Sequence, residues 1–239
     1  SIVEILASLY FKHMKVDPKN PKMEGRDRLI VSKGHAGPVV YATLANRGYF
    51  DKDLLLTLNK AGTLLPSHCD MNKTPGIDMT TGSLGQGFSC AVGVALGSRL
   101  KKDGATVYAI IGDGESQEGQ IWEAAMYASQ AKLNNLIAFT DYNRMQIDGN
   151  TDDINSLEPL DKKWESFGWN TIVIDGHDLD QIDAAILNAK SQDRPTMIIA
   201  KTIKGKGVKS IEEKGFACHS LSLSVEYVEA AIEEIRRTN

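Results

Sequence analysis

Residues 106–144, TVYAIIGDGESQEGQIWEAAMYASQAKLNNLIAFTDYNR, decide the fold of this chain of 239 residues. Residues 106–111 form a short, apolar and β-branched run, and residues 135–140 form another. Such runs are typical of strands that are buried on both faces of a parallel sheet. The segment between them, residues 117–132, has a helical pattern. This strand–helix–strand order predicts a parallel α/β unit.

The same alternation continues on both sides of this unit. Further strand-like runs lie at 28–32, 171–174 and 196–201, and further helical patterns lie at 1–14, 37–48, 52–60, 86–102, within 151–167, at 178–191 and at 222–237. The alternation predicts one α/β domain over residues 1–239, with a parallel sheet flanked by helices on both faces. Residues 62–87 lack a regular pattern, and loops of that length in compact domains are commonly functional.

The composition excludes several functions. Lys and Arg number 27 against 31 Asp and Glu, a net charge of −4, so the chain lacks the electrostatic footprint of a protein that binds nucleic acid or an anionic membrane. No apolar stretch approaches the roughly 20 residues of a membrane span. The first residues lack a signal-peptide pattern. Three cysteines without CxxC spacing favour a reducing, cytoplasmic location.

Polar residues follow two successive strand-like runs. Gly112-Asp113-Gly114 follows the first, and Asn143 follows the next. Ligands of open parallel sheets bind beyond the carboxyl ends of the strands, so these side chains should share one edge. Asp and Asn supply oxygen, which Mg²⁺ takes together with phosphates. The glycines allow close backbone approach, and a following helix N-terminus attracts an anion. The pattern favours a diphosphate held through a metal, with a plain tight turn as the alternative.

Other phosphate and metal patterns are weak or absent. Gln117 stands where a GxGxxG fingerprint needs its third glycine, and no GxxxxGK[ST] sequence occurs. The Gly-rich run GSLGQG at 82–87 fits either a loop whose backbone a ligand approaches closely or the plain packing of a helix. A zinc site of His35, His68 and Cys69 is disfavoured, because the spacing matches no zinc pattern.

Three histidines lie in loop segments. His35, His68 and His219 are candidates for anion contacts or proton transfer, with an ordinary surface position as the alternative. His13 is expected to be structural. His177 is expected to cap or turn the chain before a helix.

Together, several segments resemble the thiamine-diphosphate domain of transketolase. They are VSKGHAGPVVYATL at 31–44, PSHCD at 66–70, TTGSLGQGFSCAVGVAL at 80–96, GDGESQEGQIWEAA at 112–125, LIAFTDYNRMQIDG at 136–149 and KTIKGKGV at 201–208. Their order and spacing agree along nearly the whole chain. The GDG-to-Asn unit alone indicates only a thiamine-diphosphate enzyme, whereas SKGH and TTGSLGQG point to transketolase.

The resemblance implies a metal and cofactor site. Asp113 and Asn143 resemble the side-chain ligands of Mg²⁺, or of another divalent cation such as Ca²⁺ or Mn²⁺, and the backbone carbonyl of Met145 is similar to a third ligand. Gly114, with Asn143, resembles a contact to the cofactor. Glu118 resembles an acid at the subunit interface that is linked to the cofactor-activating glutamate of the neighbour.

The resemblance also implies roles for residues around the cofactor rings. His35 and His219 are similar to histidines that line the diphosphate and thiazolium region. His68 is similar to the histidine beside the reactive carbon, which contacts the ketose donor. All three are therefore expected to be catalytic. Gly82 and Leu84 resemble residues that flank the aminopyrimidine and the thiazolium.

The chain departs from the family pattern at three places. Ser83 replaces the proline common in TGPLG, and His219 is followed by Ser220 rather than Gly. The family's early Gly-His-Pro motif is missing, so one active-site histidine is expected to be absent. The chain also lacks an initiator Met, and a processed or truncated start is expected.

The implied activity is transfer of a two-carbon ketol unit from a ketose phosphate to an aldose phosphate, as in pentose phosphate metabolism. The resemblance implies the N-terminal subunit of a split transketolase. A C-terminal subunit would supply the pyrimidine-binding and C-terminal domains. The expected assembly is a heterotetramer, and the alternative is a homodimer of this chain. Alternatives are the α subunit of a 2-oxo acid dehydrogenase E1, a non-catalytic thiamine-diphosphate-binding module, or an acidic interaction scaffold.

Overall fold

The computed structural model describes residues 1–238, and a parallel sheet of five strands lies at its centre. The strands are β1 (Arg28–Val31), β2 (Val107–Gly112), β3 (Leu136–Tyr142), β4 (Asn170–Asp175) and β5 (Thr196–Lys201). Their order is β1-β2-β3-β5-β4, and every neighbouring pair is parallel. The predicted fold class is therefore confirmed.

The strand register aligns the carboxyl ends of the central strands. Gly112 at the end of β2 pairs with Asp141 of β3, and Tyr142 of β3 pairs with Lys201 of β5. The loops that leave these strands consequently start at one edge of the sheet, where parallel sheets bind their ligands.

Helices cover both faces of the sheet. They are α1 (Val3–Ser8), α2 (Gly37–Arg47), α3 (Gln86–Lys101), α4 (Gly119–Gln130), α5 (Thr151–Ile154), α6 (Leu160–Ser166), α7 (Leu179–Lys190), α8 (Lys209–Glu212) and α9 (Val225–Thr238). Helices α1, α2 and α7 pack on one face, and α3, α4 and α6 pack on the other. Tyr108 and Ile110 of β2 enter the first core, whereas Val107, Ala109 and Ile111 enter the second. Burial on both faces explains why β2 is apolar throughout.

Three predicted helices differ from the observed elements. The helix expected at 1–14 is α1 followed by a π-helical turn, Leu9–His13. The helix expected at 52–60 is a 3₁₀ helix, Lys52–Thr57, which has no fully buried residue. Little packing therefore supports a longer helix there. The helix expected at 117–132 is interrupted, because Glu118 is extended between a 3₁₀ turn and α4.

The long irregular segment is held against the sheet by specific contacts. Residues 62–85 contain no helix or strand, as the sequence predicts. The Thr81 hydroxyl donates to the carbonyl of Val31 at 2.8 Å, and the Thr81 N–H donates to the carbonyl of Cys69 at 3.1 Å. These bonds bring the segment to the carboxyl ends of the strands.

Across residues 1–238, no helix is long and apolar enough to cross a bilayer.

Candidate active site

A cavity of about 630 Å³ opens at the carboxyl edge of the sheet. Loops that follow β1, β2, β3 and β5 form its wall together with the irregular segment 62–85. The site residues predicted from the sequence all line it: His35, His68, Gly82, Leu84, Asp113, Gly114, Glu118, Asn143, Met145 and His219. Residues far apart in sequence therefore meet at the edge that the strand pattern indicated.

Oxygen atoms of two neighbouring loops face this cavity. The buried Asp113 carboxylate accepts the N–H of Gly114 at 2.8 Å through Oδ1 and the N–H of Arg144 through Oδ2. The Oδ1 atom of Asn143 accepts the N–H of Met145 at 3.1 Å. Each of these oxygens keeps a further lone pair. A donor set of carboxylate and amide oxygens fits a hard divalent cation.

The same region does not form a zinc site. Within residues 1–238, no group of three or more His, Cys, Asp or Glu side chains is arranged to hold a metal ion. Cys69 is buried, and this burial raises the pKa of its thiol to about 12, which keeps the thiol protonated. A cation beside Asp113 would need further oxygen ligands, such as phosphate oxygens and water.

A buried ion pair, which was not predicted from the sequence, lies beside the oxygen donors. Asp141 is fully buried and accepts hydrogen bonds from the Lys33 ammonium and the Thr202 hydroxyl. Burial alone would raise the pKa of Asp141, but Lys33 holds it well below its usual value. For Asp113, burial raises the pKa to about 6, since the Gly114 N–H offsets it only in part. The available signal was the position of Lys33, two residues after β1.

Cationic and imidazole groups form another part of the cavity wall. Lys204, in the loop after β5, donates from Nζ to Nδ1 of His219 at 2.9 Å. The rings of His35 and His219 lie 5.2 Å apart at 41°. Burial lowers the pKa of Lys204, and burial with the nearby Lys204 and Lys33 lowers that of His219. An anion bound in the cavity would favour the protonated forms of these groups.

Two predicted glycines allow close packing at the site. A Cβ at Gly114 would lie 2.8 Å from Cβ of Gln146, so a side chain there would push apart the loops after β2 and β3. A Cβ at Gly82 would lie 3.2 Å from Cδ2 of His68. Both glycines therefore bring backbone close to groups that line the cavity.

Of the two alternatives predicted for His177, the turn before a helix is the one observed. His177 lies in a turn, but the side chain of Asp178 caps α7. The imidazole instead bridges two distant elements. Its Nδ1 lies 2.9 Å from Oε1 of Glu4, and its Nε2 accepts the N–H of Ile203 at 2.8 Å. His177 thus steadies the loop that carries Lys204, a contact that local sequence cannot indicate.

The titration of His35 provides a direct test of this electrostatic environment. Desolvation at the cavity wall, with the cations of Lys33 and His219, lowers the pKa of His35 to about 4. We expect its imidazole to stay neutral at pH 6 in an NMR titration. Because the unfolded ring binds its proton near pH 6.5, protonation should destabilise the fold progressively as the pH falls from there toward 4. The variant His219→Asn should raise the midpoint, and a wild-type midpoint near 6.5 would contradict this description.

The fold and the site together define a class of protein. Carboxylate and amide oxygens line one cavity together with lysine and histidine side chains, at the carboxyl edge of a parallel sheet. Such a cavity is typical of an α/β protein that binds a phosphorylated ligand beyond the carboxyl ends of its strands.

Comparisons with known proteins identify the family. The family model described as transketolase, thiamine diphosphate binding domain, matches residues 1–235. The 6-deoxy-6-sulfo-D-fructose transketolase subunit of a Clostridium species is 58% identical over 238 residues, which cover 99% of this chain and 86% of the relative. An apulose-4-phosphate transketolase subunit of Phocaeicola vulgatus is 37% identical, with 99% and 84% coverage. The crystal structure of Campylobacter jejuni transketolase matches with a TM-score of 0.90 and 32% identity, over 97% of this chain and 37% of that one.

The chain therefore belongs to the transketolase family and contains its thiamine-diphosphate-binding domain. Its activity is ketol transfer that depends on thiamine diphosphate, as one subunit of a divided transketolase. The predicted resemblance is confirmed. The family match favours a transferase over the dehydrogenase, the non-catalytic module and the interaction scaffold.

Proposed function

We propose that this chain holds thiamine diphosphate and a divalent cation in the cavity and, with a partner chain, transfers a ketol unit from 6-deoxy-6-sulfo-D-fructose to an aldose phosphate. One observation carries the proposal: Asp113, Asn143, Lys204 and the three predicted histidines line the same cavity of about 630 Å³. We place the reaction in the cytoplasm, and the free thiols of Cys69, Cys90 and Cys218 agree with a reducing compartment.

The metal is held by oxygen. Asp113 and Asn143 bind the cation through their side chains and Met145 through its backbone carbonyl, with Mg²⁺, Ca²⁺ or Mn²⁺ as the ion. With one carboxylate among these ligands, the diphosphate balances the remaining charge of the cation. Gly114 contacts the diphosphate through its backbone, and the ammonium of Lys204 binds it. The lack of a side chain at Gly114 supports this assignment, because it lets a ligand approach the backbone closely.

The histidines handle protons near the reacting carbons. When bound, thiamine diphosphate supplies the nucleophilic carbon and the electron sink for cleavage of the C2–C3 bond of the ketose. His68 donates to the ketose oxygens, and His35 and His219 move protons to and from its hydroxyl groups. The pKa of about 4 keeps His35 neutral at pH 7, so its ring can both donate and accept. Gly82 and Leu84 flank the two cofactor rings.

A partner chain completes the site. We assign the exposed Glu118, at the cavity rim, to a contact with the partner's cofactor-activating glutamate. The partner is a C-terminal transketolase subunit with the pyrimidine-binding and C-terminal domains, and two copies of each chain form a heterotetramer. The two curated relatives support this assignment, because both are named as subunits and the chain covers 86% and 84% of their lengths.

The donor is proposed from the relative that is 58% identical, whose name specifies 6-deoxy-6-sulfo-D-fructose. Removal of C1 and C2 from this ketose leaves a four-carbon aldose that retains the sulfonate. A ketose phosphate of pentose phosphate metabolism is the second candidate, since a phosphate is also a tetrahedral oxyanion at the far end of the sugar.

Donor competition tests the proposal. We expect the chain, mixed with its purified partner subunit, Mg²⁺, thiamine diphosphate and an aldose phosphate as acceptor, to release the sulfonated tetrose with a kcat/KM about tenfold above that for fructose 6-phosphate. Mass spectrometry of the products measures both reactions, and each chain alone is the control. A preference for fructose 6-phosphate would overturn the sulfonate assignment. Absence of transfer from either donor would overturn the whole proposal.

A further inference from the structure

Glu115 is a buried acid beside the candidate site that the roles above leave unused. It is 2% exposed and follows Asp113 and Gly114 in the loop after β2. We infer that Glu115 is a positioning residue: its carboxylate holds three loops of the site in the arrangement that binds thiamine diphosphate. The inference rests on the proposed cofactor site.

The carboxylate joins three segments that are distant in sequence. Its Oε1 accepts the hydroxyl of Ser32, directly after β1, and the N–H of Gly85 at 2.7 Å, directly before α3. Its Oε2 accepts the N–H of Gly112 at 3.1 Å, at the end of β2. Each segment carries cavity residues, since Ser32 precedes Lys33, Gly85 follows Leu84 and Gly112 precedes Asp113. A shift of this one carboxylate would therefore move all three walls.

Neutralising Glu115 tests the inference, because a positioning role and simple charge repulsion predict opposite changes in cofactor affinity. A buried anion near a diphosphate repels it, so electrostatics alone predicts that a neutral residue at position 115 would tighten cofactor binding. A positioning role predicts the opposite. In Glu115→Gln the amide nitrogen must face one of the donors, because glutamine offers one acceptor oxygen for the three groups of Ser32, Gly85 and Gly112. At least one loop is then released.

The opposite edge of the sheet offers a matched control. Asp27 is buried to a similar degree and accepts the N–H of Thr106 at 2.8 Å and that of Lys15 at 2.8 Å. It joins backbone segments as Glu115 does, but at the amino ends of the strands. The variant Asp27→Asn therefore reports the general cost of neutralising a buried bridging carboxylate.

The test is titration calorimetry of thiamine diphosphate, at saturating Mg²⁺, into the complex of this chain with its partner subunit. We expect Glu115→Gln to raise Kd about tenfold or more, whereas Asp27→Asn leaves Kd within about twofold even if both lower the unfolding temperature. An amide NMR spectrum should also show the Gly85 or Gly112 N–H shifted by the loss of its carboxylate acceptor.

A milder variant covers the case in which Glu115→Gln fails to fold. Ser32→Ala removes one of the three bonds and should raise Kd about threefold, while Ser98→Ala, a buried serine at the amino edge, should leave it unchanged. An unchanged or lowered Kd in Glu115→Gln would overturn the inference while leaving the cofactor site in place. If Glu115→Gln does not fold, the same result in Ser32→Ala would overturn it. Lack of binding by the wild-type complex would overturn both.

Discussion

Replacing Asp113 with Ala should abolish thiamine-diphosphate binding in the presence of Mg²⁺ and lower kcat/KM for ketol transfer about 10³-fold or more. The variant loses the carboxylate that lines the cavity with Asn143, and with it the charged side chain among the proposed metal ligands. Asp141 cannot replace it, because its oxygens already accept from Lys33 and Thr202. Calorimetric titration with the partner subunit measures the loss of binding, and the donor assay measures the loss of activity.

A charge-matched control separates this effect from a change in net charge. Asp193 is 85% exposed in its side chain and pairs with Arg194 on the surface, so Asp193→Ala should bind and react like the wild type. Circular dichroism should show the same helix and strand content for both variants. Wild-type cofactor affinity in Asp113→Ala would refute the metal assignment, whatever the activity of the complex.

The sheet and the oxygen donors were predictable because their signals are local. Residues 106–111 and 135–140 are short and apolar, and the observed strands Val107–Gly112 and Leu136–Tyr142 follow them closely. Asp113 and Asn143 come directly after the ends of these strands, so one general rule about parallel sheets placed both at the same edge.

The polar network behind the cavity was not predictable in the same way. Lys33 reaches Asp141 across β2, and Glu115 meets Ser32 and Gly85, because the strand order places β1, β2 and β3 side by side. No local pattern encodes that order.

Breaking the Lys33–Asp141 pair should give the largest loss of stability among single substitutions at this site. Both side chains are buried, with exposed fractions of 9% and 0%. Either Lys33→Met or Asp141→Asn leaves the remaining charge without its partner in a poorly solvated position. We expect each variant to lower the free energy of unfolding by about 3–5 kcal/mol. For a chain of this length, that loss corresponds to a fall of about 6–20 °C in unfolding temperature.

The double variant decides whether the loss comes from the pair or from each residue separately. Lys33→Met combined with Asp141→Asn removes both charges, so it should be destabilised by clearly less than the sum of the single variants, with a coupling energy of about 2 kcal/mol or more. The exposed pair of Lys162 and Glu165, 2.8 Å apart, is the matched control, and its cycle should give less than about 0.5 kcal/mol. Thermal and denaturant unfolding of the four variants of each cycle provide the measurement. Additive losses at Lys33 and Asp141 would mean that the two charges are solvated independently, and the ion pair would then not be what holds the loop after β1 against β3.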